Sequence, residues 1–286
     1  MNELEKNIET LVSLALAEDL NERGDVTSRA TLPETLVIRG QIVAKAEGVV
    51  AGLPAVIETY RQVDSSVQVQ PHITDGEPVQ PGTLVCEVVG QGRAVLTGER
   101  VALNFLQRMS GVATLTSQFV RAIAGTGAVI LDTRKTTPGF RHLEKYAVRM
   151  GGGENHRIGL YDQVMIKDNH IDACGSITAA VEAVRAEFAR VPGSEIPIIV
   201  EVRDLVELQE ALALNVHRIL LDNMSNDEIR RAVEITAGRT PLEASGNMSL
   251  ARARSVAETG VNYISVGALT HSAPALDLSM RLNRVV

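Results

Sequence analysis

The chain has 286 residues, with 28 Lys and Arg against 35 Asp and Glu, a formal net charge of −7. Hydrophobic residues at 45% and charged residues at 22% match the globular norm, which excludes intrinsic disorder, and the acidic balance excludes a general nucleic-acid coat. Two cysteines far apart, Cys86 and Cys174, exclude a disulfide framework, and 3% aromatics without Trp exclude a base-stacking platform.

The polar first ten residues lack a signal core, and no apolar run is long enough to span a membrane, so a cytoplasmic protein is expected. Leu4, Ile8, Leu11, Val12, Ala15 and Leu16 recur at helical spacing and predict a first amphipathic helix over 4–20. From Val37 to Val89 the pattern turns to short β-prone runs, Val37–Ala44, Val67–Val69 and Leu84–Val88, parted by Asp75-Gly76 and Pro81-Gly82. The stretch from Asp75 to Val85 is similar to the hairpin of biotin and lipoyl carriers. It has no lysine between paired strands, so a structural sheet is predicted. A helical pattern follows from Glu99 to about Ile123, with a break expected at Ser110-Gly111.

The second half alternates. Val129–Leu131, Val164–Ile166, Ile198–Val200, Ile219–Leu221, Pro241–Ala244 and Tyr263–Val266 read as buried parallel strands. Helical segments Ile177–Ala189, Leu205–Leu214, Glu228–Ala237 and Leu250–Glu258 separate most of them. The strands close on Asp132, Lys167, Glu201, Asp222, Glu243 and Ser265, and 21 residues separate Glu201 from Asp222 and again Asp222 from Glu243. A doubly wound sheet binds its ligand at one switch point and needs polar groups at only some strand ends. Polar groups at all six favour an α/β barrel, which builds its active site on the carboxyl ends of its strands.

Between Arg134 and Lys167 stand seven Lys and Arg (134, 135, 141, 145, 149, 157, 167) and three acids (144, 154, 162), a local excess of four positive charges in a chain of net −7. Such focusing suits a small polyanionic substrate. Gly151-Gly-Gly-Glu-Asn-His-Arg157 allows close backbone approach, and Arg157 offers a fork for a carboxylate, with His156 beside it. It is not a P-loop, since Gly-Lys-Ser/Thr is absent. Ser245-Gly246-Asn247 and Ser265-Val266-Gly267-Ala268 follow the last two strands, where barrels hold phosphate. Lys167 also admits a competing reading, a Schiff-base lysine on a barrel strand. The histidines show no metal-binding spacing that would suggest zinc.

With these residues in hand, the chain resembles the quinolinate phosphoribosyltransferases, also called nicotinate-nucleotide pyrophosphorylases. The resemblance is carried by Thr97–Leu106, Leu131–Gly139, Lys145–Arg149, Gly151–Arg157, Ile166–Ile171, Leu221–Asn223, Ser245–Asn247 and Ile264–Thr270, and it runs over nearly the whole chain. It implies an α/β fold: an N-terminal α/β sandwich domain over 1–111 and an incomplete, roughly seven-stranded α/β barrel over 112–271, with a C-terminal helix over 272–286 returning to the first domain. The implied reaction joins quinolinate to phosphoribosyl pyrophosphate and yields nicotinate mononucleotide, pyrophosphate and CO₂, with Mg²⁺ and no organic cofactor, in NAD biosynthesis.

The same resemblance implies that Arg100, Thr133, Arg134, Lys135, His156, Arg157 and Lys167 hold quinolinate. Glu201, Asp222, Ser245, Gly246, Asn247, Val266, Gly267 and Ala268 would take ribose and phosphates. Lys135, Lys167, Glu201 and Asp222 are the expected catalytic residues, with Glu201 and Asp222 also near the metal. A homodimer or higher homo-oligomer is implied, with Arg100 crossing to the partner's site; neither nucleic acid nor membrane is an expected partner. A nicotinate phosphoribosyltransferase, handling a monocarboxylate, would need fewer cations than Arg134, Lys135, His156 and Arg157 supply. A relative associated with molybdenum transport shares the implied fold.

Overall fold

The computed structural model describes residues 2–191, 193 and 195–284. Its first elements are helices α1 (Glu3–Leu20) and α2 (Val26–Thr31), strands β1 (Val37–Ala44) and β2 (Gly48–Val49), and helix α3 (Leu53–Val63). Strands β3 (Gln68–Pro71), β4 (Pro78–Val79) and β5 (Leu84–Gln91) and helix α4 (Gly92–Ala122) follow. Then come β6 (Val129–Leu131), α5 (Arg141–Met150), β7 (Val164–Ile166), α6 (Asp168–Cys174), α7 (Ile177–Arg190), β8 (Ile198–Val202) and α8 (Leu205–Ala213). The chain closes with β9 (Arg218–Asp222), α9 (Asn226–Thr236), β10 (Leu242–Ser245), α10 (Leu250–Ala257), β11 (Tyr263–Ser265), α11 (Ala268–His271) and β12 (Leu278–Arg284).

These elements form two units. One comprises 1–117, 136–152 and 272–286; the other comprises 118–135 and 153–271. The division differs from a simple cut after residue 111, because 112–117 and 136–152 group with the first unit.

In the first unit an antiparallel sheet runs β12-β1-β5-β3. Its core gathers Ile38, Ile42, Val85, Val88, Leu103 and Leu106 with the fully buried Tyr60, whose hydroxyl donates to the Val95 carbonyl at 3.1 Å. Helix α1 starts on a capping box, Asn2 with Glu5, and buries Ile8, Val12 and Leu16 at the predicted spacing.

Three expectations need correction here. The stretch read as all sheet contains α3. It begins at Gly52, whose φ of +117° suits glycine, and the N–H groups of Gly52 and Leu53 donate to the Asp75 carboxylate at 2.8 and 3.1 Å. Asp75 therefore serves as a cap for a distant helix, and Tyr146 also donates to it at 2.7 Å. Helix α4 runs unbroken through Ser110-Gly111. A Cβ on Gly111 would lie 2.0 Å from the Pro274 carbonyl oxygen, so the glycine permits contact rather than a break, and Ser110 Oγ accepts from the Ala51 N–H at 3.0 Å. The segment expected as a C-terminal helix is instead strand β12, paired antiparallel with β1 from Ala44–Leu278 to Ile38–Arg284. Its sequence alternates Leu278, Met280 and Leu282 with Ser279, Arg281 and Asn283, a period of two rather than 3.6. The last two residues of that expectation, 285 and 286, lie outside the described residues.

In the second unit all six predicted strands form one parallel sheet, in the order β6-β11-β10-β9-β8-β7. About seven strands were expected. Among the described residues a single parallel bridge, Leu131 with Glu154, extends the sheet beyond β6, and no pairing joins β6 to β7, so the barrel is open. Ile198, Val200, Ile219, Leu221, Leu242, Ala244 and Ile264 are buried and alternate with the residues facing the other way. Helices α7, α8, α9 and α10 fall where helical periodicity placed them, to within two residues at either end.

Candidate active site

Period-two alternation decides which side chains meet at the other face of the second unit's sheet. Met165 and Lys167 lie two apart at the end of β7, as do Leu220 and Asp222 on β9, and Glu243 and Ser245 on β10; Glu201 and Ser265 stand on the same face of β8 and β11. All eight line one cavity of about 350 Å³, with Thr133, Arg134, Lys135, His156 and Arg157 supplied by the loops after β6 and before β7.

Those loops are pinned from below. Asp132, fully buried at the end of β6, accepts from Asn155 Nδ2 at 2.7 Å and from the His156 N–H at 2.8 Å, which ties the glycine-rich segment to the strand end. Asp162 accepts from the N–H groups of Ile158 and Gly159 at 2.7 and 2.8 Å and closes the turn that follows. Arg157 is 9% exposed and donates through Nη1 to the Gln163 carbonyl at 3.1 Å. The Thr133 hydroxyl accepts from the Lys135 N–H at 3.1 Å, and Thr270 donates to the Lys135 carbonyl at 2.8 Å.

The cavity is bipolar. Arg134, Lys135, Arg157 and Lys167 make a cationic side; Glu201, Asp222 and Glu243 make an anionic side. They meet at two seams: Lys167 Nζ lies 3.3 Å from Glu201 Oε2, and His156 Nε2 lies 3.3 Å from Glu243 Oε2. Burial, with Arg134 close by, pushes the Arg157 guanidinium below its ordinary value, partly offset by Asp162. Burial raises the Glu201 carboxyl; Lys167 partly offsets this and Asp222 adds to it. Glu243 is buried, which pushes its carboxyl up, yet bonds from His156 and Ser265 and the charge of Arg218 hold it below the usual range.

An acid at a strand end can also cap the helix that follows, and Asp222 stands just before α9. Ser225 takes that role, in a capping box with Glu228, and the Asp222 carboxylate instead accepts from Asn223 Nδ2 at 2.9 Å. Lys167, weighed as a Schiff-base lysine, has Glu201 for a partner. Of the seven cations in the focused segment, Arg134, Lys135, Arg157 and Lys167 line the cavity, whereas Arg141, Lys145 and Arg149 lie on α5 in the other unit.

The structure brings together Thr133, Arg134, Lys135, His156, Arg157, Lys167, Glu201, Asp222 and Ser245. Gly246, Asn247, Val266, Gly267 and Ala268 are not among the lining residues; the first four lie in the turns after β10 and β11, and Ala268 opens α11. Gly246 and Asn247 both have positive φ, +97° and +47°, and a Cβ on Gly246 would meet Asn223 Oδ1 at 2.1 Å. Arg100 is exposed on α4 of the first unit, where it lines a separate cavity with Asp19, Asp25 and Thr97. Sequence reasoning left Glu243 and Ser265 out of the candidate site, although Glu243 is the third acid of the 21-residue series and that spacing was the signal.

Comparison with known proteins places these features in one family. The description "Quinolinate phosphoribosyl transferase, N-terminal domain" matches residues 25–110, and its C-terminal counterpart matches residues 112–281. A Bacillus subtilis protein named probable nicotinate-nucleotide pyrophosphorylase [carboxylating] is 44% identical, covering 98% of this chain and 94% of its own. A rice protein named nicotinate-nucleotide pyrophosphorylase [carboxylating], chloroplastic, is 43% identical over 97% of this chain and 78% of its own. The crystal structure of NadC from Streptococcus pyogenes superposes with a TM-score of 0.94 at 39% identity, covering both chains fully. Human nicotinic acid phosphoribosyltransferase, at 13% identity and a TM-score of 0.60, shares the fold alone. By sequence along nearly its whole length, and by the fold that carries its cleft, the chain belongs to the quinolinate phosphoribosyltransferase family.

Proposed function

We propose that the protein transfers the phosphoribosyl group of phosphoribosyl pyrophosphate to quinolinate with decarboxylation, giving nicotinate mononucleotide, pyrophosphate and CO₂ for NAD biosynthesis. The observation that carries this reading is the bipolar cavity at the strand ends. Quinolinate brings two adjacent carboxylates, which Arg134, Lys135, Arg157 and Lys167 match in charge, and Arg157 matches in shape through its fork. Burial and the nearby Arg134 push the Arg157 guanidinium down, and a dianion bound beside it would counter both effects. Thr133 and His156 add hydrogen-bonding groups beside these cations.

The pyridine nitrogen attacks the ribose anomeric carbon as the bond to pyrophosphate breaks, and positive charge develops on the ribose. Glu201 and Asp222 face that charge and offer acceptors to the ribose hydroxyls. The new pyridinium nitrogen then withdraws electrons from the neighbouring carbon. The C–C bond to the adjacent carboxylate breaks, CO₂ leaves, and the electron pair left behind takes a proton. Lys135 and Lys167 stay beside these reacting groups as fixed positive charges.

Glu201 and Asp222 are hard oxygen donors at neighbouring strand ends, and their mutual repulsion suits a cation. These two carboxylates would hold Mg²⁺ together with substrate phosphates and water, a shell in which the protein supplies only one or two oxygens. Bound there, the ion would supply charge neutralisation for the departing pyrophosphate. The turns Ser245–Asn247 and Val266–Ala268 are the proposed phosphate contacts. Ser249, the residue before α10, makes no side-chain cap bond to that helix's first N–H groups. We further propose a homodimer in which Arg100 completes the partner's quinolinate site, and a cytoplasmic location. No helix among the described residues is long and apolar enough to cross a membrane.

Calorimetric titration tests the substrate. Quinolinate should bind at least about tenfold more tightly than nicotinate, which lacks one carboxylate, and Arg157→Lys should cost quinolinate about 2–3 kcal/mol. Equal affinities for the two acids, or an unchanged affinity in the variant, contradict the assignment.

A further inference from the structure

We propose that Thr270, which does not line the cavity, is a positioning residue for Lys135: its hydroxyl fixes the peptide that presents this cation to the cavity. Thr270 stands in α11, just after β11, and is fully buried. Its Oγ1 lies 2.8 Å from the Lys135 carbonyl oxygen and 3.2 Å from the Gly267 carbonyl oxygen. A hydroxyl has one proton to donate, so these two acceptors compete for it. The Gly267 carbonyl already accepts from the N–H groups of Thr270 and His271, at 3.2 and 3.3 Å. The shorter distance and the less occupied acceptor both direct the proton to Lys135.

Lys135 depends on such a hold more than its neighbours do. Lys167 Nζ meets Glu201 and Arg157 Nη1 meets the Gln163 carbonyl, contacts that tether those charged ends directly. Lys135 is exposed and is held further back. Its N–H donates to the Thr133 hydroxyl at 3.1 Å and its carbonyl accepts from Thr270, so the peptide groups on both sides of its Cα are pinned. Its stem passes Gly267, where an added Cβ would lie 3.2 Å from Lys135 Cδ. Thr133 follows β6, while Gly267 and Thr270 follow β11, and these strands pair side by side, Leu131 with Ser265. Two adjacent strand ends therefore hold one lysine. Its stem of four carbons is flexible, and a fixed backbone narrows the region that the ammonium samples.

Thr270 thereby links two parts of the proposed chemistry. Lys135 is one of the four cations read as facing quinolinate, and Gly267 lies in a turn read as contacting phosphate. The consequence for substrate binding rests on that functional reading; the hold on the Lys135 peptide does not.

Thr270→Val removes the hydroxyl at nearly constant shape, and Thr270→Ser keeps it. Amide hydrogen exchange in the full chain reads the hold directly, because the Lys135 carbonyl and the Thr136 N–H share one peptide plane. Exchange at the Lys135 and Thr136 amides should rise about tenfold in Thr270→Val and stay within about twofold in Thr270→Ser. Calorimetry reads the consequence: quinolinate binding should weaken about tenfold in Thr270→Val and be kept in Thr270→Ser. In a Lys135→Ala background, Thr270→Val should weaken binding no further, because a residue that acts through Lys135 has nothing left to act on. Unchanged exchange in Thr270→Val, a matching loss of affinity in Thr270→Ser, or a full additional loss in the Lys135→Ala background overturns the proposal. Thr270→Ala carries the same expectations if the valine variant does not fold. Raised exchange in Thr270→Val, in a protein whose wild type fails to bind quinolinate, would refute the functional reading and leave the hold on Lys135 standing.

Discussion

Glu201 shows most sharply how single residues of the cavity trade stability for chemistry. Its carboxyl is raised by burial, with Asp222 adding to the shift, and the ion pair with Lys167 offsets only part of it. Lys167 is 43% exposed, so that pair contributes little to folding. A carboxyl whose folded-state value is raised is harder to ionise in the folded chain than in the unfolded one. The penalty is fully present above the folded-state value and vanishes below the unfolded value, near pH 4. Glu201→Gln removes it. The variant should therefore melt above the wild type at about pH 8, and the difference should close as pH falls toward about 4. Its turnover should drop, since the amide cannot offset positive charge on the ribose. A variant that melts below the wild type at the higher pH contradicts this account of the anionic side.

Helix α4 carries the lesson at the scale of elements. Its apolar periodicity was legible, but Ser110-Gly111 reads locally as a break, because only tertiary structure reveals that the glycine abuts the Pro274 carbonyl. Gly111→Ala should leave the helix continuous and expel that contact, at a cost of about 1–3 kcal/mol, or roughly 2–4 °C of melting temperature per kcal/mol. An unchanged melting temperature would mean that the approach is not needed for stability. Similar reasons separate the legible from the illegible elsewhere. The six strands of the second unit showed as β-branched runs because they are buried on both faces, and their polar ends pointed to the cavity. Helix α3 was hidden because its start is set by Asp75, over twenty residues away in sequence. The final strand was missed because expectation by resemblance overrode its period of two. Glu243 was legible as a strand-end acid; its close approaches to His156, Arg218 and Ser265 join residues from four segments, and no spacing shows them.

At the scale of the whole molecule, the proposed dimer makes a claim that one chain cannot display. Arg100 is exposed on α4, and the proposal gives it to the partner's quinolinate site. Arg100→Ala and Lys167→Ala should each be inactive. In a mixture that exchanges subunits freely, about half the dimers combine the two chains, and each of these has one site with both lesions and one with neither. About a quarter of wild-type activity should return. Exchange without any recovery would place Arg100 in its own subunit's site or make the sites interdependent.

The central claim is that the cavity joins a dicarboxylate pyridine to phosphoribosyl pyrophosphate and expels one carboxylate. The most direct measurement incubates the protein with phosphoribosyl pyrophosphate, Mg²⁺ and either quinolinate or nicotinate, and follows nicotinate mononucleotide and CO₂ together. The account predicts equal amounts of both products from quinolinate and none from nicotinate. Nicotinate mononucleotide formed as readily from nicotinate, or no product from quinolinate, would contradict it.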